Sequence, residues 1–124
     1  KELKAISHEK NTKISAAVFP YPKMSSKMVL QDWSHWDLDI ICPMNYHAFY
    51  DGDINWIGES ISKGIKYKKP NSLYLSGLFV DWFNSKDLKK VINESLNKGA
   101  DGICIFNSEY LNDDHLKTIC TFKS

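Results

Sequence analysis

No apolar run in this 124-residue chain approaches the roughly 20 residues a helix needs to cross a bilayer. The opening stretch, Lys1 to Lys13, is charged and lacks an apolar h-region, so a secretory leader is not expected there. An initiator methionine is missing too, as it would be from a processed or excised piece. Charge of one sign is not in excess: 16 basic against 15 acidic residues leave +1. That balance gives no electrostatic case for nucleic acid or an anionic membrane. The three cysteines, Cys42, Cys104 and Cys120, form no C-x-x-C pair and no zinc spacing. Cys42 and Cys104 sit in apolar runs and are expected to be small buried hydrophobes. His8, His35 and His115 are scattered without an H-x-x-x-H pattern, so no metal is expected, and nothing implies a cofactor. Gly52, Gly58, Gly64 and Gly77 make no phosphate-cradling motif. The cluster Lys63, Lys66, Lys68 and Lys69 lacks interleaved aromatics and reads as cations at a helix end.

Aromatic side chains are plentiful, with four Trp, six Tyr and six Phe. The most informative segment runs from Leu38 to His47, a nearly unbroken apolar stretch that ends in Asn45, Tyr46 and His47. Continuous hydrophobic runs are typical of parallel strands buried on both faces. In α/β folds, chemistry gathers at the carboxyl ends of such strands.

Four strand-like runs recur, each followed by a helix-like run. Lys13 to Phe19 is the first strand, closed by Pro20 and Pro22, and Met24, Met28, Val29, Trp33 and Trp36 follow at near-helical spacing with Ser25 or Ser26 as a cap. Leu38 to Met44 is the second. Asp53 then caps a helix with Ile54, Ile57, Ile61 and Ile65 in one stripe. Ser72 to Val80 is the third, followed by a helix capped by Ser85, carrying Leu88, Val91, Ile92 and Leu96, and stopped by Gly99. Gly102 to Phe106 is the fourth, and Asn112 or Asp113 opens a final helix. Residues 1–10 read as the tail of a preceding helix. A barrel of eight βα units takes about 250 residues. Residues 1–124, read as a single α/β region, therefore hold half a barrel or, alternatively, a small open parallel sheet.

The words A-A-V-F-P-Y-P (16–22), M-V-L-Q-D-W (28–33), C-P-M-N-Y-H-A-F-Y (42–50), D-I-N-W-I (53–57), G-L-F-V (77–80) and G-A-D-G-I-C-I-F (99–106) span nearly the whole chain. Together they resemble the carboxyl-terminal half of the bacterial family 10-like glycosyl hydrolases, distantly similar to family 18 chitinases. The resemblance implies strands five to eight of a TIM barrel acting on poly- or oligosaccharide, and a secreted or periplasmic setting. In family 18 the sixth strand ends in Met-x-Tyr-Asp, which helps hold the reacting end of the substrate. Met44 and Tyr46 match, and His47 replaces the Asp. The family's general acid lies on strand four, outside this chain, so this piece alone is expected to be inactive. The alternative expectation is a non-catalytic carbohydrate-binding or scaffold module.

Tyr46 and His47 are the candidate catalytic pair, as a hydrogen-bond donor and a group that exchanges protons near neutral pH. Asp51, Asp81, Trp82 and Glu109 are the candidate substrate-binding residues, with Trp82 offering a flat surface for stacking. Trp33, Trp36 and Trp56 lie in helical runs and read as packing residues, and Asn45 alternates away from Tyr46. Half a barrel also leaves two open strand edges and a bare apolar inner face. The expected partners, besides carbohydrate, are therefore the complementary amino-terminal half or a second copy.

Overall fold

Parallel pairing of four short strands organises the chain in the order β1-β2-β3-β4. The computed structural model describes residues 1–122. The last two positions of the expected 1–124 region lie outside that range. The elements are α1 (Glu2–Glu9), β1 (Ser15–Val18), α2 (Pro22–Val29), β2 (Ile40–Pro43), α3 (Ile54–Gly64), β3 (Leu73–Phe79), α4 (Ser85–Asn97), β4 (Gly102–Phe106) and α5 (Asp113–Cys120). Sequential strands are neighbours, and each step is spanned by a helix, as parallel pairing requires. The expectation of four consecutive βα units, half a barrel, is borne out.

Local chemistry sets the helix ends. Asp53 accepts from the N–H groups of Asn55 and Trp56 and opens α3, as its position before the apolar stripe predicts. Asn112 opens α5 through a reciprocal box, accepting from His115 N–H while the His115 ring reaches back. Gly99, at φ +98°, lets the chain turn after α4. Two expected caps are displaced. α4 is capped by Asn84, whose side chain accepts from Asp87 N–H, and Ser85 is its first helical residue. α2 begins at Pro22, not at a serine, because a proline with no N–H is already suited to a first helical position. Ser25 is instead buried, its hydroxyl donating to Gln31 O at 2.6 Å. The helical spacing expected through Trp36 stops at Val29, and a short 3-10 turn at Trp33–His35 leads into β2.

The two faces of the sheet differ. One face carries Val18, Ile41, Tyr74 and Leu78, buried against Ile57 and Ile61 of α3 and Leu88, Val91 and Ile92 of α4. Behind it a polar chain is fully enclosed: Ser60 Oγ donates to Asn45 Oδ1 at 2.7 Å, and Asn45 Nδ2 donates to Ser76 Oγ at 3.0 Å. By alternation, the other face presents Ser15, Ala17, Ile40, Cys42, Leu73, Leu75, Gly77, Phe79, Cys104 and Phe106. Among the described residues, no helix covers this inner face. Leu73 is 41% and Phe106 49% exposed. Cys104 is exposed and Cys42 half-buried, which corrects the expectation that both are core residues. Apolar strands with one missing cover look the same in sequence as strands covered on both sides.

The edge of β1 is open as well. Ile40 N–H donates to Ile14 O and Met44 N–H to Val18 O, so Ser15, Ala17 and Phe19 direct their backbone groups away from β2. Side chains satisfy Phe19: its N–H donates to Gln31 Oε1 and its carbonyl accepts from Trp33 Nε1. Ser15 and Ala17 are left bare and exposed. α1 buries none of its residues. It is tied down by ion pairs from Lys4 to Asp37 and Asp39 and by the contact of His8 Nε2 with the Asp39 carboxylate.

Candidate functional site

β3 passes directly into a 3-10 turn, Val80–Trp82, and β2 reaches one, His47–Tyr50, after Met44, Asn45 and Tyr46. Those turns bring Tyr46, His47 and Trp82 together, as expected for strand tips, around Phe79 at the end of β3. Phe79 stacks on Trp82 at 4.5 Å between ring centroids and meets Tyr46 at 5.7 Å. His47 stands edge-on to Trp82 at 5.4 Å and lies face to face with Phe83 at 5.4 Å. Phe49, Phe106 and Tyr110 extend the same surface, with Phe49 packed on Trp82 at 5.0 Å and Tyr110 6.0 Å from Phe79.

Sequence reasoning missed Phe49, Phe79, Phe106 and Tyr110. Phe79 and Phe106 are the last residues of β3 and β4, and the strand-end rule applied to Tyr46 would have found them. Trp33 is fully buried and Trp56 packs against the core and stacks on Tyr50 at 5.2 Å, as expected of packing residues, whereas Trp36 is 39% exposed. Asn45 does turn away from the site, into the buried polar chain.

The expected carboxylates stand at the margin. Asp51, Asp81 and Glu109 are all exposed. Glu109 accepts a long bond from Asn107 Nδ2 at 3.4 Å. Asp81 and Trp82 line a cavity of about 430 Å³ with Tyr110, Asn112, Asp114 and His115. His115, read as one of several scattered histidines, is buried there, its Nε2 2.6 Å from Phe83 O. It braces the β3 turn against α5. A larger cavity, about 790 Å³, lies at the opposite end beside α1 and β1, away from these aromatic tips. Among the described residues, no cluster of His, Cys, Asp and Glu is arranged to hold a metal ion.

The groups at the centre of the site are neutral. Burial pushes the Tyr46 phenol up to about 12, with Cys104, Tyr50 and Cys42 adding to the shift, so it stays a hydrogen-bond donor. Burial also lowers the His47 imidazole, opposed by the Asp53 carboxylate. Its Nδ1 is buried and unpartnered. Burial lifts the Cys42 thiol to about 11, away from nucleophile chemistry. The arrangement is a wall of rings carrying the phenols of Tyr46 and Tyr110 and one neutral imidazole, with carboxylates outside it.

Strands, crossovers and a site at the carboxyl ends together define an open half of a parallel α/β barrel. The crystal structure of dihydrodipicolinate synthase from Bacillus clausii, a TIM-barrel protein, is similar to this chain at a TM-score of 0.55 and 17% identity. The likeness covers 87% of this chain and 42% of that one, so this chain spans less than half the length of its neighbour. At that identity the likeness shows the fold. No family model and no curated protein matches the chain.

These findings overturn the glycosyl hydrolase resemblance. The neighbour is a synthase and not a glycosidase, and the family 10-like and family 18 assignments, with the hydrolase, glycosidase and carbohydrate roles drawn from them, are withdrawn. The carrying words mark the tips and helix starts of βα units. Short polar and aromatic words at strand ends are common to barrels of unrelated chemistry and carry no family by themselves.

Proposed function

We propose that the carboxyl ends of β2, β3 and β4 form one wall of a barrel-type small-molecule site for a planar, conjugated organic ligand. Trp82, Phe79 and Phe106 supply the stacking surface, Tyr46 a phenolic donor, and His47 a neutral imidazole able to accept a proton. Asp51, Asp81 and Glu109 form the polar rim. The observation that carries this reading is the convergence of Tyr46, His47 and Trp82 on Phe79. Aromatic surfaces reward flat ligands beyond the area they bury. The solved neighbour is a synthase, and an enzymatic role for this site is part of the proposal.

Indole and cyclohexanol, each titrated at millimolar concentration while side-chain NMR signals are followed, test it. Indole is expected to shift the rings of Trp82, Phe79 and Tyr46 at least tenfold more strongly than cyclohexanol. Trp82→Ala should abolish the difference. Equal responses to the two probes, or indole shifts confined to Trp36, would overturn the reading.

A further inference from the structure

Charge is sorted between the two ends of the sheet. The segments that leave the strands at their carboxyl ends, residues 19–21, 44–53, 80–84 and 107–112, hold Asp51, Asp53, Asp81 and Glu109 and no lysine or arginine. The segments that enter β2, β3 and β4 at the opposite end, residues 30–39, 65–72 and 98–101, hold Lys66, Lys68, Lys69 and Lys98 beside Asp32, Asp37, Asp39 and Asp101. A carboxylate ahead of a helix is ordinary, because it favours the amino-terminal dipole, and Asp53 serves α3 in that way. Asp51, Asp81 and Glu109 cap no α-helix. Among the described residues, none of those three forms an ion pair.

The rings beside these acids give them a use. The cavity of about 430 Å³ above β3 is walled by Trp82 and Tyr110 and carries the carboxylates of Asp81 and Asp114. Its other titratable group, His115, supplies no cation: its Nδ1 accepts from Asn112 N–H at 3.5 Å, and an imidazole that accepts there is uncharged. Asp114 also meets Lys117 at 3.5 Å, but both side chains are largely exposed and such pairs contribute little. On its other side Trp82 stacks on Phe79 at 4.5 Å and meets the neutral His47 edge-on. Aromatic faces are negative by their quadrupole and attract cations, most strongly at Trp. Rings and carboxylates therefore favour the same sign of charge, and an anion is repelled by both. We propose that the planar ligand of this wall is an organic cation of the pyridinium or quinolinium type, stacked on Trp82 and Tyr110 with its charge facing Asp81 and Asp114. This rests on the planar-ligand reading and adds the sign of the ligand's charge.

Side-chain NMR titrations with three bicyclic probes of like size, N-methylquinolinium, quinoline and 2-naphthoate, read that sign at neutral pH and low salt. The cation is expected to bind at least tenfold more tightly than quinoline, with its shifts centred on Trp82 and Tyr110, and the anion more weakly than either. Raising the salt should shrink the cation's advantage severalfold, since exposed charges are screened. Asp81→Asn/Asp114→Asn, which keeps side-chain size at two exposed positions, should bring the cation within threefold of quinoline and change quinoline binding less than twofold. Glu2→Gln/Glu9→Gln removes the same charge from exposed positions of α1 and should leave the advantage intact. Quinoline bound at Trp82 as tightly as the cation would overturn the inference while the planar-ligand reading stands. An advantage lost equally in the α1 variant would overturn it as an effect of net charge alone. Three probes that all fail to shift Trp82, Phe79 and Tyr46 would overturn the planar-ligand reading as well.

Discussion

Tyr46 and Phe106 stack with their centroids 6.0 Å apart and their planes 29° from parallel, although β3 lies between the strands they terminate. Phe79, at the tip of β3, closes the triangle at 5.7 Å from Tyr46 and 5.5 Å from Phe106. Three strand ends thus share one aromatic surface, and the concave inner face of the sheet runs up to it.

Phe79 is the hub of that surface, so Phe79→Ala should disturb both stability and site. The ring is only partly buried, and a loss of about 2–3 kcal/mol is expected, below the range for a fully enclosed Phe. Denaturant unfolding measures the loss. The signature beyond stability is that the Tyr46 and Trp82 ring signals should move toward solvent-exposed values.

Gly77 is required by close approach. A Cβ there would meet Pro43 O at 2.7 Å and Met44 Cα at 3.3 Å, both backbone atoms of the neighbouring strand. Gly77→Ala should cost about 1–3 kcal/mol, because β2 and β3 must part. Leu75→Ala, one inward position earlier on the same strand, removes volume without forcing the backbones apart. It should leave amide exchange at Met44 and Asn45 unchanged, where Gly77→Ala speeds it.

The cap of α4 separates two adjacent residues. Asn84→Ala removes the bond to Asp87 N–H and should cost about 1 kcal/mol. Ser85→Ala should change stability by a few tenths at most, since alanine is the better helix former at a first-turn position. Thermal unfolding of the two variants decides between Asn84 and Ser85 as the cap.

His47 makes stability depend on pH in a stated direction. Burial holds its folded pKa below that of the unfolded chain, which is about 6.5. The unfolded state therefore binds more protons as the pH falls below that value, and stability declines with acidification until it levels off below the folded pKa. His47→Phe should flatten the stability profile between pH 7 and 5. An unchanged slope in that variant would assign the dependence to another group.

Much of this was legible in the sequence because parallel strands and their crossovers leave strong marks. The strand expected over Leu38–Met44 forms at Ile40–Pro43, the stripe Ile54, Ile57, Ile61 and Ile65 forms a helix that ends at Gly64, and Asp53 as a cap and Gly99 as a stop each follow from one local rule. Tyr46, His47 and Trp82 could be placed near one another from sequence because each follows the carboxyl end of a strand. Cys104 was misjudged because an apolar strand does not record whether both of its faces are covered. Phe79 and Phe106 were missed because aromatic residues that close a strand read as core until the turn above them is seen. The family resemblance failed for a related reason. Short words at strand tips are shared by barrels of unrelated chemistry.

The half-barrel leaves its β1 edge and inner face open, with the aromatic cluster at its carboxyl ends. Amide hydrogen exchange along β1, measured residue by residue on the intact chain, tests it most directly. Ala16 and Val18 face β2 in the ladder, while Ser15 and Ala17 face outward. The account predicts slow exchange at Ala16 and Val18 and exchange at least a hundredfold faster at Ser15 and Ala17. Uniform protection of all four amides would contradict it, because it would mean that β1 already has a strand on its other side.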